Sequence, residues 1–261
     1  SRSVESIVTE VKKAVDQGFV EITLLGQNVN SYKHENSSFA ELLLAVSDIN
    51  GVQRIRYTSP HPQDINVELL EVMASRKNIC NYVHFPLQSG SNDILKRMNR
   101  TYTREHFHYM ADKIREIMPD CGLSTDIIVG FPGEGDLEYE QTLEFCSTVD
   151  FADMHIFPYS VRPRTTAAHL TGKVHPLEKK ERMNRMLDLA FTKSNLFRKR
   201  SLGQTRSVLW ETAKMKDGAF SGLTDNYLRV YTRSLKDLSS KITLARLVSF
   251  QDGILMAEPI I

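Results

Sequence analysis

The sequence predicts an α/β chain with parallel strands, followed by a small β-rich unit. Three observations carry this. Apolar strand-like runs alternate at steady spacing with segments of helical period. Each run leaves into a polar or glycine-rich loop. After Gly203 the helical pattern stops, and short β-rich runs separated by turn signals take over. The alternation fits a parallel sheet, open or rolled into a barrel. The tail fits a small antiparallel barrel or sandwich. The 261 residues leave room for one large domain and a small one, drawn at residues 1–202 and 203–261.

Ser3 to Gln17 carries Val4, Ile7, Val8, Val11, Ala14 and Val15 at helical period, with Ser3 as N-cap and Gly18 as the stop. Val20 to Leu25 is a strand leaving into the loop Gly26 to Tyr32, and Phe39 to Ile49 is a helix. Arg54 to Thr58 is the next strand; it ends in Ser59-Pro60-His61-Pro62, and a helix follows from Asn66 to Ser75. Tyr82 to Leu87 is a strand ending in Gln88-Ser89-Gly90-Ser91, with helices from Asn92 to Met98 and from Arg104 to Met118. In the strand from Gly122, residues Leu123, Ile127, Ile128 and Val129 supply the apolar bulk, while Ser124, Thr125 and Asp126 need hydrogen-bond partners. Gly130, Pro132 and Gly133 cannot continue a ladder, and a helix runs from Leu137 to Val149. The last strand of this part is Met154 to Tyr159. The chain opens on a helix and without an initiator Met, so a fragment is expected, with a sixth strand upstream completing a six-stranded partial barrel.

Pro176 to Leu202 is a long helix rich in Lys and Arg, including Arg198, Lys199 and Arg200 at its end. Such a run is either a solvated face or a nucleic-acid-facing one. In the tail, strand-like runs are Ser207 to Trp210, Tyr227 to Tyr231, Ile242 to Val248 and Gly253 to Met256, with turn signals at Lys216-Asp217-Gly218 and Gln251-Asp252-Gly253. Trp210, Tyr227, Arg229, Tyr231 and Arg233 interleave aromatic and basic residues, as RNA-binding sheet faces do.

Composition narrows the function classes. A net charge of +1 announces no nucleic-acid partner by itself. No apolar run approaches the roughly 18 residues of a membrane span, and no signal-peptide pattern is visible, so a cytoplasmic protein without a membrane partner is expected. Cys80, Cys121 and Cys146 are too far apart for a CxxC-type metal site and fit half-buried thiols in a reducing compartment.

No motif pairs a nucleophile with its base, and no Walker loop or zincin signature occurs. The histidines His61, His84, His106, His108 and His155 are isolated in sequence and read as surface or satisfied core groups. What stands out is the set of five strand exits on one rim of a parallel sheet, which together suit a large polar ligand.

Those exits carry a resemblance. Leu24-Leu-Gly-Gln-Asn-Val-Asn-Ser-Tyr32, Thr58-Ser-Pro-His-Pro62, Pro86-Leu-Gln-Ser-Gly-Ser91, Met98-Asn-Arg-Thr-Tyr-Thr-Arg104, Ser124-Thr-Asp-Ile-Ile-Val-Gly-Phe-Pro-Gly-Glu134 and Tyr159-Ser-Val-Arg-Pro163 occur in this order. The ordered set resembles the radical SAM methylthiotransferase family, its MiaB-like tRNA members above all, and the tail resembles a TRAM domain. The resemblance implies a partial (β/α)6 TIM-like barrel lacking its first strand, then a small TRAM-like antiparallel β-barrel. It implies S-adenosylmethionine bound across the strand ends and two [4Fe-4S] clusters in the full-length enzyme. The cluster ligands, a CxxxCxxC loop and cysteines of an N-terminal domain, are absent from this chain, which is therefore expected to be inactive as it stands.

By the same resemblance, Gly26, Gln27 and Asn28 hold the methionine end of S-adenosylmethionine. Ser59, His61, Gln88 and Ser89 line the cavity, Asp126 accepts from a ligand hydroxyl or amine, Ile128, Gly130 and Phe131 pack on the adenine, and Arg162 contacts cofactor or substrate. Arg198, Lys199, Arg200, Arg229 and Arg233 face RNA. The implied reaction is methylthiolation of carbon 2 of N6-isopentenyladenosine beside the anticodon of tRNA, with an electron donor such as flavodoxin or ferredoxin and a monomeric enzyme. Alternatives are N6-threonylcarbamoyladenosine in tRNA, favoured by Met154 to Tyr159 and by Gly222 to Arg229, a ribosomal protein, or a non-catalytic RNA-binding protein. Two departures from the family pattern fall in loops: Arg162-Pro163-Arg164-Thr165 where many relatives have glycine third, and Arg100-Thr101-Tyr102 where many have glycine second.

Overall fold

A computed structural model describes residues 1–58, 61–212, 215 and 218–260. Helix α1 (Val4–Asp16) starts where Ser3 Oγ accepts the Ser6 N–H at 3.2 Å, as the N-cap reading expects. It stops at Gly18, whose φ of +88° lets its own N–H and that of Phe19 reach back to the carbonyls of Val15 and Ala14. Strand β1 (Glu21–Leu24) follows, then a short hairpin of β2 (Lys33–His34) and β3 (Ser37–Ser38), and α2 (Phe39–Ser47). Ser38 and Glu41 form a capping box at the start of α2. Next come β4 (Arg54–Tyr57), α3 (Val67–Ser75), β5 (Tyr82–His84), α4 (Asn92–Arg97), α5 (Arg104–Ile117), β6 (Gly122–Val129), α6 (Asp136–Thr148), β7 (Asp153–Pro158) and α7 (Pro176–Arg200).

The strands β1, β4, β5, β6 and β7 are parallel and lie in chain order. β1 pairs with β4, and β5 with β6 and β6 with β7. A backbone bridge joins the two groups: Ile55 N–H donates to the Asn78 carbonyl at 2.7 Å, and Cys80 N–H donates to the Ile55 carbonyl at 2.9 Å. All carboxyl ends therefore share one rim, as expected for βαβ units. β6 shows the two-residue period: Leu123, Thr125, Ile127 and Val129 face the helices and are buried, while Ser124, Asp126 and Ile128 face the concave side. Behind the sheet Phe85 stacks on Phe107 with centroids 4.0 Å apart, and Phe151 packs tilted against Phe107 at 6.1 Å. Burial of such a ring is worth roughly 1.5–3 kcal/mol. Among the described residues no strand pairs with the outer edge of β1, which borders a groove of about 490 Å³ shared with α1.

The tail forms a closed barrel of β8 (Thr205–Trp210), β9 (Phe220–Thr224), β10 (Arg229–Thr232), β11 (Ile242–Gln251) and β12 (Ile254–Ile260). It departs from the expected antiparallel barrel at one seam, where β10 and β12 run parallel through Tyr231 and Met256. β9 had no counterpart among the expected runs, because Ser221-Gly222 breaks its apolar pattern. Gly222 is needed there: a Cβ would sit 2.7 Å from Val208 Cγ1 and 2.8 Å from the Leu209 carbonyl. The expected turn at Gln251 to Gly253 is a two-residue hairpin with Asp252 and Gly253 at φ +51° and +79°. The one at Lys216-Asp217 lies outside the described residues.

The two parts have separate buried cores, although Ala152 and Phe197 belong to the core of the small barrel. That barrel seats on the amino ends of the parallel strands. Arg54 donates to the carbonyls of Leu223 and Thr224 at 3.0 and 3.1 Å, Tyr227 stacks on Tyr82 at 4.4 Å, and Asn226 Nδ2 donates to the Asp120 carbonyl at 3.0 Å. Gly122 permits this approach, since a Cβ there would lie 2.1 Å from the Asn226 carbonyl oxygen.

Candidate active site

The concave face of the sheet is polar where the helix-covered face is apolar. Parallel register sets Asp126 beside His155 and Ser124 beside His84. Ser124 Oγ meets Tyr82 Oη at 2.6 Å and His84 Nδ1 at 2.8 Å. His84 Nε2 lies 3.2 Å from Asp126 Oδ2, and His155 Nδ1 lies 3.1 Å from Asp126 Oδ1. Thr125 Oγ1, on the opposite face, accepts the Leu87 N–H at 2.9 Å. The three polar residues of β6 are thus all satisfied.

Burial alone would push the Asp126 carboxyl up. The hydrogen bonds and charges of His155 and His84 outweigh it and hold the carboxyl well below the usual range. His155 is pushed up in turn, chiefly by its bond to Asp126. Burial pushes the Tyr82 phenol up to about 12.

Two cavities meet at Asp126. The upper one, about 390 Å³, lies at the strand exits and is lined by Gln88, Asp126, Ile128, Phe157, Pro158, Tyr159, Ser160, Arg162, Thr165 and Ala167. The lower one, about 540 Å³, fills the lumen below and reaches Glu21, Thr23, Arg56, Tyr82, His84, His155 and, on the small barrel, Leu223 and Tyr227. Gln88 has a φ of +71°, rare for a residue with a side chain. Its N–H donates to the Asp126 carbonyl at 2.7 Å and its carbonyl accepts the Ile128 N–H at 2.9 Å. That backbone twist directs the β5 exit across the top of β6.

The structure brings Gln88, Asp126, Ile128 and Arg162 together around the upper cavity. The other expected site residues that the structure describes are not among its lining. Gly26, Gln27 and Asn28 are exposed at the β1 exit and line neither cavity. The His61 ring accepts the Gln63 N–H at 3.3 Å and packs edge-on against Tyr102, while its backbone is fixed by Asn30, whose Nδ2 donates to the His61 carbonyl at 2.9 Å. Ser59 lies outside the described residues. Ser89 is buried against α6, with its Oγ 3.1 Å from Thr142 Oγ1. Gly130 and Phe131 turn toward α7 and Tyr159. The Gly130 N–H donates to Glu134 Oε1 at 2.8 Å, and the Phe131 ring meets Tyr159 at 5.0 Å. Glu134 is itself held by Arg182 of α7 at 3.0 Å, with both side chains buried.

Of the basic residues, Arg198 bonds back to Ser194, Arg200 pairs with Asp150 and lies over Phe197, and Arg229 pairs with Glu211 at 2.8 Å. Lys199 and Arg233 are exposed. The aromatic–basic stripe of the tail is largely structural. Trp210 is core, its Nε1 donating to Thr243 at 2.9 Å, and Tyr227 is sandwiched between Tyr82 and Arg56. Sequence reasoning passed over His84 and His155 as isolated. The signal that finds them is strand register, since both fall on the concave face beside Asp126 and Ser124.

The three cysteines are buried and free, and burial pushes the thiols of Cys121 and Cys146 up to about 12. They sit before β5, before β6 and within α6, and do not form an iron–sulfur ligand set.

Comparison with known proteins follows the same lines. The model of the Radical SAM superfamily matches residues 1–146. The tRNA-2-methylthio-N(6)-dimethylallyladenosine synthase of Lachnoclostridium phytofermentans is 38% identical over 262 residues, covering 99% of this chain and 58% of that protein. Its namesake in Finegoldia magna is 39% identical, with 99% and 57% covered, and that of Thermoanaerobacter sp. (strain X514) is 45% identical over 72% of the chain and 41% of the relative. The chain thus spans little more than half the length of the curated relatives it matches. Among solved structures, Escherichia coli coproporphyrinogen III oxidase, a Radical SAM enzyme, superposes with a TM-score of 0.58 at 12% identity, over 94% of this chain and 57% of that one. The radical S-adenosylmethionine methyltransferase TsrM of Kitasatospora setae superposes at 0.52 over 64% of this chain and 33% of that one. With a family model matching more than half of its length, and parallel strands whose carboxyl ends share one rim, the chain belongs to the Radical SAM superfamily.

Proposed function

We propose that this chain is the barrel and RNA-facing tail of a tRNA methylthiotransferase acting on carbon 2 of N6-isopentenyladenosine next to the anticodon. The observation that carries the reading is the upper cavity at the carboxyl ends of the parallel strands, in a chain whose curated relatives are named for that modification. The residues around the cavity suit S-adenosylmethionine. Ile128, Phe157 and Tyr159 offer apolar and aromatic faces to an adenine, Gln88 offers an amide to the ribose or amine, and Arg162 offers a guanidinium to the carboxylate. Both oxygens of Asp126 already face histidines, which leaves Gln88 and Arg162 as the polar groups for the cofactor. When bound, S-adenosylmethionine supplies the deoxyadenosyl and methyl groups that the reaction consumes. The cysteines of this chain do not fit a [4Fe-4S] cluster, and the first strand and cluster loop implied by the resemblance are placed, on this reading, along the open edge of β1.

The same reading assigns residues 1–202 to the barrel and residues 203–261 to a TRAM-like unit that meets tRNA, in a cytoplasmic, monomeric enzyme. Separate buried cores support the division, and no helix among the described residues is long and apolar enough to cross a membrane. The test is disruption of the reading frame in its own cell, followed by mass spectrometry of tRNA nucleosides. Loss of the 2-methylthio group from isopentenyladenosine is expected. Loss from threonylcarbamoyladenosine instead would reassign the substrate, and an unchanged profile would overturn the proposal.

A further inference from the structure

We propose that His84, Asp126 and His155 form a binding site for a divalent transition-metal ion of the zinc class, open toward the lumen cavity. Their ligand atoms all lie within 4.8 Å of one another. The two His–Asp separations, 3.2 and 3.1 Å, are close to the roughly 3.4 Å between ligands of an ion bound at about 2.0–2.1 Å in a tetrahedral shell. His155 is half exposed, so its ring can turn to complete the set.

The nitrogens that do not face Asp126 have polar neighbours. His84 Nδ1 lies 2.8 Å from Ser124 Oγ, and His155 Nε2 lies 3.7 Å from Asp153 Oδ2. Metal-bound imidazoles are held as His84 is here: a hydroxyl takes the second ring N–H, fixing the tautomer and leaving the first nitrogen's lone pair for the ion, while Asp153 lies near His155 without a hydrogen bond to it. Two imidazoles and one carboxylate are a donor set that suits zinc or iron(II), and three protein ligands leave a coordination position free. All three residues line the lumen cavity. There the neighbouring guanidinium of Arg56 is already engaged by Glu21 at 3.0 Å and by the Thr224 carbonyl at 3.0 Å.

The inference does not rest on the methylthiotransferase reading, because metal uptake needs neither S-adenosylmethionine nor RNA. The experiment is calorimetric titration of the whole 261-residue chain with zinc chloride, paired with cobalt(II) chloride followed by visible absorption. One equivalent is expected to bind, with cobalt bands of a nitrogen–oxygen site. His155→Ala is expected to weaken binding at least tenfold, and H84A with H155A to abolish it. His108→Ala, which removes an imidazole paired with Asp112 at 3.0 Å on the surface of α5, should leave binding unchanged. Circular dichroism checks the fold of each variant, and Asp126→Asn serves as the second route if the double variant fails to fold. Absence of stoichiometric uptake, or uptake that survives both His155→Ala and Asp126→Asn, would overturn the site.

Discussion

Arg164 sits at φ +67°, in the left-handed region, in the loop that supplies Arg162 to the upper cavity. An L-residue is held there at a cost of roughly 1–2 kcal/mol. The fold therefore keeps here the backbone path that glycine would take. Glycine at this position would lose roughly 0.5–1 kcal/mol more conformational entropy on folding. Arg164→Gly is thus expected to stabilise the protein by about 0.5–1 kcal/mol in urea unfolding, and a loss of stability would show that the side chain holds the loop. The cysteines allow a second test at this scale. Burial raises the thiols of Cys121 and Cys146 to about 12, against about 8.5 for a free thiol. A folded pKa above the unfolded one adds stability that is complete below about pH 8.5 and is lost as the pH rises toward 12. The native protein should therefore resist thiol reagents at pH 8 until denatured, and its urea midpoint should fall between pH 9 and 11. Fast labelling of native Cys121 or Cys146 would contradict the burial.

At the scale of elements, the alternating pattern made the five parallel strands, their helices and their exits legible from sequence. Apolar residues at period two or 3.6 are set by burial, and burial is what the residue types record. β9 was not legible, because its glycine is there for Val208 and Trp210, which are remote in sequence. Of the expected site, Gln88, Asp126, Ile128 and Arg162 converge, while Ser89, Gly130 and Phe131 serve the packing of α6 and α7. Loop composition shows that a turn is tight and polar, but the side-chain direction depends on the neighbouring helix. The same distinction bears on the tail, where Trp210 and Tyr227 are structural and the exposed cations of β10 and its exit remain as the RNA-facing candidates. Removing one cation from a phosphate lowers the salt slope of RNA binding by roughly 0.7–0.9. Arg229→Ala with Arg233→Ala should therefore weaken tRNA binding and flatten the slope of log affinity against log salt by roughly 1.5. An unchanged slope would remove this strand from the RNA face.

At the scale of the molecule, the small barrel closes the lumen from the end opposite the strand exits, and the seal is polar. Arg54 is buried, with its guanidinium on the carbonyls of Leu223 and Thr224 and its Nε 2.9 Å from the Glu21 carboxylate. Glu21 also pairs with Arg56 at 3.0 Å, so Arg54→Ala leaves that carboxylate with a partner. The Thr224 carbonyl keeps Arg56 at 3.0 Å, but the Leu223 carbonyl loses the Arg54 guanidinium, and a hydrogen bond to a charged group is worth roughly 1.5–3 kcal/mol. That loss falls on the interface between two otherwise separate cores, so it should uncouple them as well as lower stability. The sequence holds a single tryptophan, Trp210, and it lies in the core of the small barrel, whereas most of the helix belongs to the large one. Tryptophan fluorescence and helical circular dichroism therefore report on different units. In the unsubstituted protein the two signals should trace one urea transition, because the docked units share the Arg54 anchor and the Tyr82–Tyr227 stack. In Arg54→Ala they should separate, with one unit unfolding at lower urea than the other. Coincident transitions in the variant would mean that the remaining contacts at Asn226 and Tyr227 are enough to couple the two cores.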